Sequence, residues 1–85
     1  MALVEAAMTL AELAKGDRAR IAFVGGGGGF RRRLLELGLV EGTEVERTGQ
    51  SPMGDPLSFR VRGAVLCLHR VQADEIRVDP MTAAS

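Results

Sequence analysis

The sequence predicts a mainly β chain that folds as one small barrel of about five strands with one or two short helices. Three observations carry this. At 85 residues the chain has room for a single domain with a thin core. Apolar and polar residues alternate in short stretches, as where Leu57, Phe59 and Val61 interleave with Ser58, Arg60 and Arg62. Glycine and proline, 11 and 3 of them, punctuate the chain between those stretches.

Each element follows in order. Residues 1–8 and 80–85 read as loose tails around a domain at 9–79, because both ends are rich in small residues and lack periodicity. Thr9-Leu10-Ala11-Glu12 has the form of a capping box, with Met8 and Leu13 at the positions of a hydrophobic staple. A short helical turn therefore covers 10–14, with Leu10 and Leu13 inward and Gly16 as its stop. From Asp17 to Val24 the chain alternates, which predicts a strand with Ala19, Ile21 and Phe23 on its buried face. Gly25, Gly26, Gly27, Gly28 and Gly29 come next. Ordering consecutive glycines costs so much backbone entropy that this stretch reads as a mobile loop.

A helix over 30–38 follows. Phe30, Leu34 and Leu37 recur at i, i+4 and i+7, and Gly38 with Leu39 completes a Schellman cap. Thr43 to Thr48 alternates again with Val45 inward, and 49–56 is a longer connection rich in Gly and Pro. Leu57 to Val61 is a third strand, and Gly63-Ala64 closes a tight hairpin. Val65 to Leu68 is apolar on both faces and reads as a central strand. Val71 to Glu75 makes one helical turn, and Ile76 to Val78 a last strand that Pro80 ends.

Composition removes several functions. Eleven basic and eleven acidic residues balance to zero net charge, which argues against a general polyanion binder. The longest apolar run, Ala64 to Leu68, is far shorter than the ~20 residues of a membrane span, so no membrane insertion is expected. Residues 1–7 carry no basic segment ahead of an apolar one, so no signal peptide is expected. Cys67 is the single cysteine, which excludes an internal disulfide and a Cys-x-x-Cys zinc site and fits a cytoplasmic protein. Trp and Tyr are absent and Phe occurs three times. Neither an aromatic polyproline groove nor a base-stacking face is built from that inventory.

Four sets of residues invite chemistry. The glycine run lacks the Lys-Ser/Thr of a phosphate loop, and Phe30 stands where the dinucleotide fingerprint needs its third glycine. Arg31, Arg32 and Arg33 crowd the start of the expected helix, where the macrodipole disfavours cations by about 0.3–1 kcal/mol each. That placement strengthens the case for an anion or acidic partner, against the plainer reading of a solvated helix face helped by Glu36 at i+3 from Arg33 and i+4 from Arg32. Cys67 and His69, two apart on an expected strand, offer a thiolate and an imidazole to a soft divalent metal. Asp55, Asp74 and Glu75 have no nucleophile or histidine paired with them in sequence, so no acid–base catalysis is expected.

An ordered series of segments resembles the FeoA family, small cytoplasmic proteins that accompany the ferrous-iron transporter FeoB. Leu10-Ala11-Glu12-Leu13 and Lys15-Gly16-Asp17 open it. Arg33-Leu34-Leu35-Glu36-Leu37-Gly38-Leu39, Glu41-Gly42-Thr43 and Gly54-Asp55-Pro56-Leu57 follow. Leu66-Cys67-Leu68-His69-Arg70 and Ala73-Asp74-Glu75-Ile76-Arg77-Val78 close it. The resemblance runs from Thr9 to Asp79 and rests on order and spacing. Glu41 stands where the family often has Pro, and His69 where it often has Arg.

The resemblance implies an SH3-like barrel with a helix inserted after the first strand. It also implies a non-enzymatic accessory protein of ferrous-iron uptake, recruited from the cytoplasm to the inner face of the membrane by the cytosolic part of a FeoB-type transporter. Phe30, Arg31, Arg32, Arg33 and Leu39 are the expected contact surface, with the glycine loop allowing adjustment. No cofactor is required. Two alternatives stay open. One is a metal-responsive regulatory module, like the SH3-like domains that end iron-dependent repressors, with Fe(II) or another divalent ion held weakly at Cys67 and His69. The other is a small nucleic-acid-binding barrel, which the neutral charge disfavours. A homodimer is also open, since small barrels expose strand edges.

Overall fold

The computed structural model describes residues 8–81. Six strands form one antiparallel sheet: β1 Met8–Thr9, β2 Arg18–Val24, β3 Glu44–Gln50, β4 Leu57–Val61, β5 Ala64–Leu68 and β6 Ile76–Pro80. Their order is β1-β6-β2-β3-β4-β5. A 3₁₀ turn covers Leu10–Glu12, and two α-helices follow, α1 at Gly28–Glu36 and α2 at Arg70–Ala73. The strand beyond the expected set is β1, too short to show periodicity; it pairs Met8 with Val78 and Thr9 with Arg77. Met8 and Pro80 thus belong to strands, the Met81 N–H donates to Arg18 O at 2.9 Å, and the rest of the expected tails, 1–7 and 82–85, lies outside the described residues.

One apolar face of the sheet wraps a core of Ile21, Val45, Leu57, Phe59, Ile76 and Val78, covered by Leu10, Leu13, Leu34 and Leu39. The capping box works through its second half, where the Thr9 N–H donates to Glu12 Oε1 at 2.8 Å. The Thr9 hydroxyl donates to Asp74 Oδ1, also at 2.8 Å, and so ties the start of the domain to the end of α2.

Two bulges correct the strand faces. In β2 the register against β6 shifts between Ile21 and Phe23, which leaves Ala22 as the extra residue. Beyond it the alternation inverts: Phe23 is 58% exposed and Val24 is buried. In β3 the shift falls between Arg47 and Gly49. Arg47, two residues after Val45, therefore faces inward opposite Phe59 and is only 6% exposed. Its Nε donates to Gly49 O, and its two terminal nitrogens donate to Leu13 O and to the Gln50 side chain. Burial, and then the neighbouring charge of Arg70, push its pKa below the ordinary arginine value.

The last hairpin is also placed differently. Its turn is Arg62-Gly63, with φ of +54° and +83°, and Ala64 already pairs with Val61 in the ladder. The strand read as central is an edge: among the described residues β5 pairs with β4 alone, and Val65 is 63% exposed. Apolarity on both faces marks here an uncovered strand rather than a sandwiched one.

Candidate functional site

Helix α1 begins at Gly28, so Gly28 and Gly29 are helical and only Gly25, Gly26 and Gly27 form the connection. Two of these are held by contact. The Gly25 N–H donates to Glu75 O at 2.7 Å, and a Cβ on Gly25 would lie 2.8 Å from that carbonyl. Gly26 has φ +76°, and a Cβ there would strike the Phe30 ring at 2.8 Å. Glycine is thus required where the chain passes from β2 into α1 beneath a ring and a carbonyl. At the other end of the helix the Schellman bonds form as the sequence implies. Leu39 N–H donates to Leu34 O and Gly38 N–H to Leu35 O, each at 3.0 Å, with Gly38 at φ +100°.

The earlier helix start moves the arginines. Arg31 now closes the first turn, and Arg32 and Arg33 lie beyond it, so the conflict with the macrodipole is eased. Arg31 is tied down, its Nε donating to Val24 O at 3.1 Å. Arg32 and Arg33 are exposed and have no ion pair or hydrogen bond with the described residues; the pairing expected from Glu36 does not form. Leu39 is fully buried and offers no side-chain surface, because the Schellman turn folds it back onto the core.

Between α1 and β5 lies a groove of about 300 Å³, lined by Phe30, Arg33, Leu34, Leu37, Leu66, Cys67, Leu68 and Gln72. Its apolar wall is open: Leu37 is 48% exposed, and Phe30 and Leu66 are half-buried. The groove gathers Phe30 and Arg33 from the expected contact set and adds Leu37, Leu66 and Gln72. A larger depression, about 460 Å³, lies between Glu44, Glu46, Arg60 and Arg62. Both of its acids are answered on the sheet face, Arg60 lying 3.9 Å from Glu46 and Arg18 3.2 Å from Glu44, while Arg62 at its rim has no ion pair or hydrogen bond with the described residues.

Cys67 and His69 are not brought together as strand neighbours. Cys67 is exposed in β5, whereas His69 lies past the strand end and caps α2. The His69 N–H donates to Gln72 Oε1 at 2.9 Å, and its Nδ1 lies 3.5 Å from Asp55 Oδ1. That carboxylate oxygen already accepts the Arg70 N–H at 2.9 Å. No group of three or more His, Cys, Asp or Glu side chains among the described residues could hold a metal ion, so these residues do not fit a resident metal. Among the described residues no helix is long and apolar enough to cross a membrane.

Comparison with known proteins decides the family. The FeoA domain model matches residues 8–80. The chain belongs to the FeoA family. Over 72 residues, 85% of this FeoA chain, it is 39% identical to an Fe(2+) transport protein A/Fe(2+) transporter FeoB fusion protein of Porphyromonas gingivalis, of whose length it spans 8%. The solution structure of FeoA from Chlorobium tepidum is 36% identical, with a TM-score of 0.85 over 92% of this chain and 74% of that one. FeoA of Stenotrophomonas maltophilia, described as a prokaryotic SH3 domain protein and crystallised with zinc, is 35% identical, with a TM-score of 0.77 over 86% of this chain and 91% of that one. The sheet described above is thus the SH3-like fold of this family, which is linked to ferrous-iron transport.

Proposed function

We propose that this FeoA domain is a non-enzymatic accessory protein of ferrous-iron uptake that docks on the cytosolic part of a FeoB-type transporter through the α1–β5 groove. The observation that carries the reading is the groove itself: an open apolar wall beside Arg33, which has no partner among the described residues. Unpartnered apolar surface next to an unanswered cation is the composition of a contact site. The fusion relative supports the choice of partner, since joining two modules in one chain raises their effective concentration for each other.

The test is a titration of the isotope-labelled domain with the cytosolic domain of its cognate transporter, in wild type and in an Arg32→Glu/Arg33→Glu double variant. Arg31 is left in place because it holds Val24. Exposed ion pairs are worth about 0.2–1 kcal/mol each, and reversal adds repulsion, so binding should weaken about 5- to 30-fold while the fold persists. Shifts confined to surfaces away from 28–39 and 64–72, or equal affinity of the double variant, would refute the assignment.

A further inference from the structure

The groove is bounded on one side by backbone as well as by side chains. Antiparallel pairs alternate between those that exchange backbone hydrogen bonds and those that do not. A two-residue turn at Arg62-Gly63 places Val61 opposite Ala64 as a bonded pair, followed by Phe59 with Leu66 and Leu57 with Leu68. Ala64, Leu66 and Leu68 thus use their N–H and C=O groups on β4, while Val65 and Cys67 aim theirs at the free edge. No backbone hydrogen bond outside the sheet ladder engages Val65 or Cys67 among the described residues.

This edge is unguarded. Natural edges are blunted by charge, proline or a bulge, and Ala64–Leu68 contains no charge and no proline and is paired with β4 without a register shift. It also runs along the groove, since Leu66, Cys67 and Leu68 form one wall and Phe30, Arg33 and Leu37 stand across from them. A segment laid against β5 at the ~4.8 Å spacing of neighbouring strands would lie in that space, with every second side chain over the apolar wall.

We propose that the edge and the groove are a single recognition surface, and that the partner contributes an extended segment that adds to β5 as a further strand. The segment carries apolar side chains at alternate positions and a carboxylate that meets Arg33. This deepens the docking reading and rests on it: the main chain supplies register, the wall supplies affinity and the cation selects an acidic segment over a basic one.

Amide hydrogen exchange of the labelled chain, with and without the cytosolic domain of its cognate FeoB-type transporter, tests this directly. Strand addition slows exchange at Val65 and Cys67 by more than tenfold in the complex. A Val65→Pro variant lacks the outward N–H and places its ring on the edge, yet removes no bond to β4, so it keeps a native spectrum and binds about tenfold or more weakly. Binding that leaves both amides unprotected overturns strand addition while docking stands. Absence of any binding overturns the docking reading and this inference with it. Protection that rises with the chain's own concentration, without the transporter domain, gives the edge to a second copy and overturns the proposal. The exchange result holds whether or not the proline variant folds.

Discussion

Leu37→Ala separates the surface role of α1 from its structural role. Leu37 follows the last residue of α1 and is 48% exposed, so roughly half of its side chain already packs and half faces the groove. Burying a whole leucine side chain is worth about 1.5–3 kcal/mol, so a partner that covers the open half gains about 1 kcal/mol from it. Truncation should therefore weaken binding of the transporter's cytosolic domain about fivefold, measured by isothermal titration. The packed half predicts a loss of folding stability of similar size, or about 4–8 °C in melting temperature for a domain of this length. The two effects are read separately, because titration well below the melting point sees only folded protein. A variant that melts lower as expected but binds within twofold of wild type would show that no partner covers this wall.

Two further substitutions probe what positions the groove. Gly38→Ala forces a side chain onto φ +100° with its Cβ 3.0 Å from Arg62 Cδ; the Arg62 side chain can move aside, so the backbone dominates and thermal denaturation should show a loss of about 1–2 kcal/mol. Arg47→Lys keeps the charge but replaces three fixed donors by one ammonium, leaving acceptors among Leu13 O, Gly49 O and Gln50 unanswered. A loss of about 1–3 kcal/mol in chemical denaturation is expected, and wild-type stability would show that charge rather than the guanidinium fork holds the loop.

Much of the fold was legible because its signals are local. The Schellman cap at Gly38-Leu39 and the alternation Leu57, Phe59, Val61 need only neighbours in sequence, and both form as read. What failed was whatever a neighbouring strand decides. The bulge at Ala22 turns Phe23 out and Val24 in, and only the pairing with β6 reveals it. Whether Val65 to Leu68 is central or edge depends on what lies beyond it, which hydropathy does not encode. The glycine run misled in its own way: entropy disfavours it as helix, yet Gly28 and Gly29 are drawn into α1 by the residues after them. The candidate site was half legible for the same reason. Phe30 and Arg33 share a helix whose period is visible, whereas Leu66 and Gln72 reach the groove only through tertiary folding. Arg47 could have been found, since it stands two residues from Val45 on the inward face.

The zero net charge that speaks against a polyanion binder conceals a division of charge over the surface. On the sheet, cations lie beside anions: Arg18 with Glu44 and Arg60 with Glu46. On α1 they do not, and Arg32 and Arg33 remain unanswered by the described residues. A neutral molecule thus leaves two adjacent cations of α1 without an ion pair among the described residues. One exposed ion pair contributes at most about 1 kcal/mol and is screened by salt. That is too little to retain a polyanion, whose binding needs many contacts at once. On the proposed docking it would be enough to favour an acidic segment over a basic one, once the edge sets the register and the apolar wall supplies the affinity. Arg33 lines the groove yet stays exposed, so on this proposal it would keep its hydration until a partner carboxylate reached it.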